Sequence, residues 1–210
     1  RKGIKDSDYW GLNKEEQDGK ISCSVDTSKH TSSTNLSIKS YKVEAEYAKA
    51  GKRSGISFKC NNLEDHDICE ALFKASAAGV KIHLLIRSIC TLRPGIKGVS
   101  ENITVLSSVD RFLEHSRIYY FRRGKVQAEE GDFFIGSADL MYRNLLHRVE
   151  VVTPIVRPEL KNRLWETLQI MINDTHQAYE LTEAGTYIRR KPAAGGSAQM
   201  QLMELTKKRL

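Results

Sequence analysis

Hydrophobic positions along the chain switch repeatedly between two periods, and each switch marks an element. Ile38, Tyr41, Ala45 and Ala48 fall at helical spacings and stop at Gly51, which predicts an amphipathic helix over 38–50 closed by a glycine cap. From Gly55 to Lys59 the pattern alternates, with Ile56 and Phe58 facing one way, as a strand requires. The polar stretch Asn61 to Asp65 is turn and N-cap material. It leads into a second helix over 68–78, with Ile68, Leu72, Phe73 and Ala75 apolar and Gly79 behind it. Val80 to Ile86 is apolar apart from Lys81 and His83, so it reads as a strand buried on at least one face. Strand, helix and strand with short joints make a βαβ unit, with parallel pairing and a right-handed crossover.

Further along, Thr91 to Asn102 holds Pro94, Gly95 and Gly98 and reads as a long loop. Ile103 to Leu106 is a short strand, and Asp110 to Glu114 a helical turn. The β-branched and aromatic runs Ile118 to Phe121 and Asp132 to Ile135 predict two adjacent strands. Leu140 to Leu146 reads as a short helix carrying Arg143 and Asn144, and Arg148 to Pro154 as a strand. The clearest helix runs from Pro158 to about Asn173, with Leu160, Leu164, Trp165, Leu168 and Ile172 on one stripe. A turn at Glu183 to Gly185 precedes a segment at Tyr187 to Arg190. Ala193 to Ser197 is small and flexible, and Met200 to Leu210 forms a basic terminal helix.

At the other end, residues 1–35 are polar without a sustained period, and Tyr9-Trp10 is their only aromatic anchor. Asp26 to Thr34 reads as a loop or linker, with His30 a solvated residue in it. The expected division is a polar segment at 1–35, an α/β domain at 36–192 built on a mixed or mostly parallel sheet flanked by helices, and a basic tail or terminal helix at 193–210. No internal repeat is visible.

Charge narrows the partners. The chain has 33 basic and 26 acidic residues, a formal +7, which favours polyanions: nucleotides, polyphosphate, nucleic acid or an anionic membrane surface. Cys23, Cys60, Cys69 and Cys90 form no Cys-x-x-Cys pair, which points to a reduced cytoplasmic setting rather than a disulfide framework. No apolar run approaches the roughly 18 to 20 residues of a membrane span, and no signal peptide is visible. Because the chain opens at Arg1 without methionine, a piece of a longer polypeptide is expected.

Candidate chemistry concentrates in Arg111 to Phe121 and in Phe133 to Asp139. His115 and Arg117 are two residues apart, so on an extended chain they share a face. Gly136-Ser137 ends the following strand with a residue small enough to let backbone approach a ligand. Arg87 stands at the C-terminal end of a strand, where open α/β sheets place ligands. A guanidinium fork matches phosphate oxygens, and an imidazole carries a proton or a phosphoryl group near neutral pH. Ser137 is either a hydrogen-bond donor to phosphate or a plain turn residue. Arg143 and Arg148 either line a polyanion channel or pair with Glu150. Glu114 reads as a solvated surface residue, and the run Arg189-Arg190-Lys191 as a solvated basic face with polyanion contact as its alternative. His66, His83, His147 and His176 show no ligand spacing, so no structural metal is expected.

Several blocks in order resemble a known family: Leu84-Leu-Ile-Arg-Ser-Ile-Cys-Thr-Leu-Arg-Pro-Gly95, Asp110-Arg-Phe-Leu-Glu-His-Ser-Arg-Ile-Tyr-Tyr-Phe121, Ile135-Gly-Ser-Ala-Asp-Leu-Met-Tyr-Arg-Asn144 and Arg148-Val-Glu-Val151, supported by Lys59-Cys-Asn-Asn-Leu-Glu-Asp65 and Gly185-Thr-Tyr-Ile-Arg-Arg-Lys-Pro192. From about Ser33 to Pro192 the chain resembles the C-terminal, phospholipase-D-like domain of bacterial polyphosphate kinase. The resemblance implies a reversible, magnesium-dependent transferase that moves the terminal phosphate of ATP to inorganic polyphosphate. It also implies a phosphohistidine and magnesium ligands on a preceding domain not found here, and a homo-oligomer as the full-length enzyme. Arg87 matches the family's nucleotide-contacting arginine, and His115 its second-domain histidine, which also touches nucleotide. Ser88, Leu140 and Tyr142 depart from the usual glycine, tryptophan and proline. Arg117 stands where phospholipase-D relatives carry lysine. ATP or ADP and polyphosphate are the implied partners, with no specific nucleic acid. Two rival readings are a non-catalytic polyanion-binding module and a phospholipase-D-like phosphodiesterase working as a homodimer.

Overall fold

The computed structural model describes residues 30–209. The expectations for Tyr9, Trp10, Cys23 and the rest of 1–29 lie outside the described residues. Among the described residues the elements are α1 (His30–Lys49), β1 (Ile56–Cys60), α2 (His66–Ala77), β2 (Ile82–Ile86), β3 (Ile103–Ser108), β4 (Ile118–Phe121), a 3-10 turn (Ala128–Glu130), β5 (Asp132–Gly136), α3 (Tyr142–Leu146), β6 (Val152–Ile155), α4 (Pro158–Ile172), β7 (Ala178–Leu181), β8 (Tyr187–Arg189) and α5 (Ala198–Arg209).

The strands form one sheet in the order β6-β5-β4-β1-β2-β3-β7-β8. Its centre, β1-β2-β3, is parallel, as the βαβ reading requires. Every other pairing is antiparallel, so the sheet is mixed rather than mostly parallel. The returns β4-β5 and β7-β8 are too short to cross over the sheet, and short returns give antiparallel neighbours.

Alternation along the strands feeds two cores. On one face Ile56, Phe58, Leu84, Val105 and Phe121 pack beneath α1 and α2 with Tyr41, Ile68 and Leu72. Phe58 and Phe121 meet Tyr41 edge to face at 5.8 and 5.6 Å. On the other face Leu85, Leu106, Ile118, Tyr120 and Phe133 pack under Leu168, Met171 and Ile172 of α4 and Ala198 of α5. Asp65 caps α2 by accepting the Ile68 N–H at 3.0 Å. Gly51, at φ +66°, ends α1 in the left-handed conformation that its position demands.

Four local expectations are corrected. His30 to Thr34 belong to α1 rather than to a loop. Serine and threonine lower helix propensity by only tenths of a kcal/mol each, and the helix they extend is anchored downstream by buried Tyr41 and Glu44. Asp110 to Glu114 is an irregular bend, not a helical turn. Its backbone is claimed by other elements: Gln199 bonds both the N–H and the carbonyl of Phe112, at 2.7 and 2.8 Å. Strand β6 starts at Val152 rather than Arg148, because Val151 is still bonded to Ser137 at the corner. Strand β7 is the fourth; nothing in Ala178-Tyr-Glu-Leu announced it, and its ladders with β3 and β8 define it. Among the described residues no helix is long and apolar enough to cross a membrane.

Candidate functional site

Strand direction decides where the predicted residues come out. The parallel strands β1 and β2 end at Cys60 and Ile86. Strand β4 runs the other way, and its first residue, Ile118, lies beside Lys59. Ile118 also faces Ile135 near the end of β5, while Gly136 faces Val152 at the start of β6. Consequently Arg87, the His115–Arg117 segment, Ser137–Asp139 and the 148–151 segment all emerge at one rim. With strands about 4.8 Å apart, the four steps from β2 to β6 spread that rim over about 19 Å.

At the middle of the rim, three cations hold three successive carbonyls around His115. Arg87 Nη1 donates to the Glu114 carbonyl at 2.9 Å, Arg117 Nη1 to the His115 carbonyl at 2.8 Å, and Lys59 Nζ to the Ser116 carbonyl at 3.1 Å. Lys59 also pairs with the Glu114 carboxylate, whose other oxygen accepts the Ser116 N–H at 3.0 Å. Lys59, Arg87, Glu114 and Gln199 line one small cleft. A larger groove between α1 and α2 carries none of these residues.

Arg117 is anchored from behind. Its Nε and Nη2 lie 3.2 and 2.9 Å from the two carboxylate oxygens of Asp139, a bidentate pair that is almost wholly buried. Asp139 also accepts the Asn61 N–H at 2.7 Å and the Asn62 N–H at 3.3 Å, tying β5 to the end of β1. Burial would raise the Asp139 pKa, but the Arg117 guanidinium and these N–H groups outweigh it and hold it below its ordinary value. Glu114 behaves likewise: burial pushes up, while the Lys59 ammonium and the Ser116 N–H pull further down. Its expected surface role is therefore corrected, since Glu114 is half-buried in an ion pair.

The imidazole of His115 is exposed and has no protein hydrogen-bond partner among the described residues. Lost hydration, then the positive charges of Arg117, Arg87 and Lys59, lower its pKa from the ordinary 6.5 against the opposing charge of Asp139. At neutral pH this is a neutral imidazole set in a positive field, an arrangement fitted to a polyanion. Polyphosphate kinase C-terminal domain 2 is the family model that matches, over residues 27–201.

The chain belongs to this polyphosphate kinase family.

Curated relatives agree. The polyphosphate kinase of Neisseria meningitidis serogroup B is 50% identical over 155 residues, 73% of this chain and 22% of that protein. The Synechocystis enzyme is 48% identical over 156 residues, 74% of this chain and 21% of its own length. The chain thus spans about a fifth of these relatives. Among solved structures, polyphosphate kinase from Porphyromonas gingivalis superposes with a TM-score of 0.77 at 33% identity, covering 83% of this chain and 26% of that one. Nuc from Salmonella typhimurium, a phospholipase D family member, gives a TM-score of 0.46 at 16% identity, over 67% of this chain and 90% of its own.

In this polyphosphate kinase domain the outlying candidates have other engagements. Ser137 Oγ donates to Glu150 and accepts the Val151 N–H at 3.1 Å, and Glu150 also accepts from Asn144 at 2.6 Å. Gly136 has its close approach to β6 backbone rather than to a ligand position. Arg143 and Arg148 are exposed, and Glu150 pairs with neither of them. Arg190 is stapled to Glu180 and the Ile172 carbonyl, and Arg189 to the His176 carbonyl, so two members of that basic run hold the β7-β8 edge.

The residues present do not fit a resident magnesium ion. The two carboxylates nearest His115 along the rim are already neutralised, Asp139 by Arg117 and Glu114 by Lys59, and a hard cation needs several unspent oxygens. Among the described residues no cluster of three or more His, Cys, Asp or Glu side chains is placed to hold one. Sequence reading passed over Lys59 and gave Asp139 no role, and it took Glu114 for a solvated residue. A lysine one residue from the end of a strand whose other positions are apolar or small was the available signal.

Proposed function

We propose that this domain supplies the nucleotide- and polyphosphate-binding half of an ATP:polyphosphate phosphotransferase site, the histidine nucleophile and the magnesium ligands lying on another domain of the full enzyme. The observation that carries this reading is the meeting of Arg87, His115, Arg117 and Lys59 around one segment of backbone at one rim. Phosphoryl transfer asks for alignment and charge neutralisation more than for covalent work. Arg87 spends one N–H on Glu114 and has no other guanidinium bond among the described residues, so its fork remains available to phosphate oxygens. Arg117 is the orienting member, with three N–H contacts committed to Asp139 and the His115 carbonyl. The arriving polyanion brings negative charge to the imidazole and favours its protonated form. His115 then donates a hydrogen bond, and at the end a proton, to the oxygen that leaves. Arg143 and Arg148 are exposed, and in this reading they meet a polyphosphate chain that extends beyond the reacting group.

The test is calorimetric titration of the chain with ATP and with tripolyphosphate. Wild-type protein binds both, increasingly weakly as salt rises, and turns over ATP poorly or not at all. Arg87→Ala and His115→Ala each weaken binding at least tenfold. Full-rate polyphosphate synthesis by these 210 residues, or binding indifferent to both substitutions, overturns the reading.

A further inference from the structure

Lys59 occupies the next-to-last position of β1, beside Leu85 on one side and Ile118 on the other, and is only 6% exposed. Its neighbours on that face are the hydrophobic side chains packed under α4 and α5. A buried ammonium is tolerated only where its charge and its donors are met, and here both needs are met by a single loop. One contact is the Glu114 carboxylate and the other is the Ser116 carbonyl at 3.1 Å. These are the residues immediately before and after His115.

We propose that Lys59 is a positioning residue for His115: from the end of β1 its ammonium fastens the Glu114 side chain just before the imidazole and the Ser116 backbone just after it, and adds positive charge beside that imidazole. The inference rests on the reading of His115 as a phosphate-contacting group. Segment 110–117 has no helix or strand of its own, so its course is fixed by side chains from elsewhere. Gln199 holds Phe112, Arg87 and Arg117 hold single carbonyls, and Lys59 alone bridges His115. Because the strand end is rigid, the loop inherits its position, and a polyphosphate meets an imidazole already in place. The charged groups acting on His115 are Arg117 from its own segment, Arg87 after β2, Asp139 after β5 and Lys59 from β1, with Glu114 masking the last.

The experiment is an NMR titration of the His115 ring, assigned by its loss in His115→Gln, in the full chain and in Lys59→Met, Lys59→Arg and Glu114→Gln, with tripolyphosphate affinity measured on each. Lys59→Met removes a positive charge and strands a carboxylate, so the His115 pKa rises, and tripolyphosphate affinity falls about tenfold with the lost anchor. Lys59→Arg restores much of both. Glu114→Gln unmasks the ammonium but leaves its bond to Ser116, and so moves the His115 pKa down. A merely structural lysine predicts the opposite for Glu114→Gln, because a loosened loop relaxes the imidazole upward toward its ordinary value. An upward shift in Glu114→Gln, or an unchanged titration in Lys59→Met, overturns the proposal. Should Lys59→Met not fold, the opposed outcomes for Glu114→Gln still decide it. Failure of the wild-type chain to bind tripolyphosphate overturns the functional reading instead, and leaves the titration shifts to be judged separately.

Discussion

Asp139→Asn is the substitution that bears hardest on this architecture. Asp139 and Arg117 side chains are 7% and 11% exposed, and the carboxylate faces two guanidinium N–H groups and two backbone N–H groups. Asparagine keeps the shape and one acceptor oxygen. It turns an NH2 group toward donors and leaves the guanidinium without its counter-charge. Removing one partner of a buried pair costs about 3 to 5 kcal/mol; the retained oxygen puts the expectation at the low end, about 3 kcal/mol. For a domain of this size each kcal/mol moves Tm by about 2 to 4 °C, so the midpoint falls by about 6 to 12 °C. Thermal and urea unfolding followed by circular dichroism measure it. The pH dependence has a definite sign. The folded-state pKa of Asp139 lies below its unfolded value, so its contribution is whole above about pH 4, the unfolded carboxylate range, and is lost as pH falls through the folded value. The gap between wild type and Asp139→Asn is therefore widest at neutral pH and closes in acid. The double replacement Arg117→Met with Asp139→Asn recovers part of the loss, since the neutral pair leaves no stranded charge and keeps an acceptor oxygen for the Asn61 N–H. A loss below about 1 kcal/mol at neutral pH, or a gap that fails to narrow in acid, refutes the reasoning.

Other outcomes follow from particular contacts. In Gly136→Ala the new methyl would overlap the Val151 carbonyl oxygen and stand 2.9 Å from Val152 Cγ2; a loss of about 1 to 3 kcal/mol in urea unfolding is expected, and unchanged stability contradicts the corner geometry. Gln199→Ala removes both side-chain bonds to Phe112, so the Phe112 amide exchanges at least tenfold faster by hydrogen-exchange mass spectrometry while the β1 amides keep their protection. Burial pushes the Cys90 thiol up to about 11 and raises the Cys60 and Cys69 thiols as well. These three therefore resist iodoacetamide at pH 7.5 in the folded chain and react on unfolding, as peptide mapping will record.

Much of this protein was legible in its residues, because local order follows from local pattern. The Ile56/Phe58 alternation, the stripe from Leu160 to Ile172, the Asp65 cap and the Gly51 stop each depend on neighbours a few positions away, and each element appeared nearly where its pattern put it. His115, Arg117 and Arg87 stood out because their chemistry is explicit in the side chain. Three things were not legible. Strand β7 was not announced by its own residues and exists through its ladders with β3 and β8. Sheet direction depended on which strands lie side by side, and the pairs β1-β4 and β3-β7 join strands far apart in the chain.

The partners of the charged groups were the third. By itself the sequence determined the family, most of the elements and the imidazole on which the proposed chemistry turns. Only the tertiary structure decided that Lys59 reaches Ser116, that Arg117 is held by Asp139 twenty-two positions away, and that Glu114 is half-buried rather than solvated. The reason is physical: hydrophobic period is a property of adjacent residues, whereas an ion pair is made by whichever charges the folded sheet carries to the same rim.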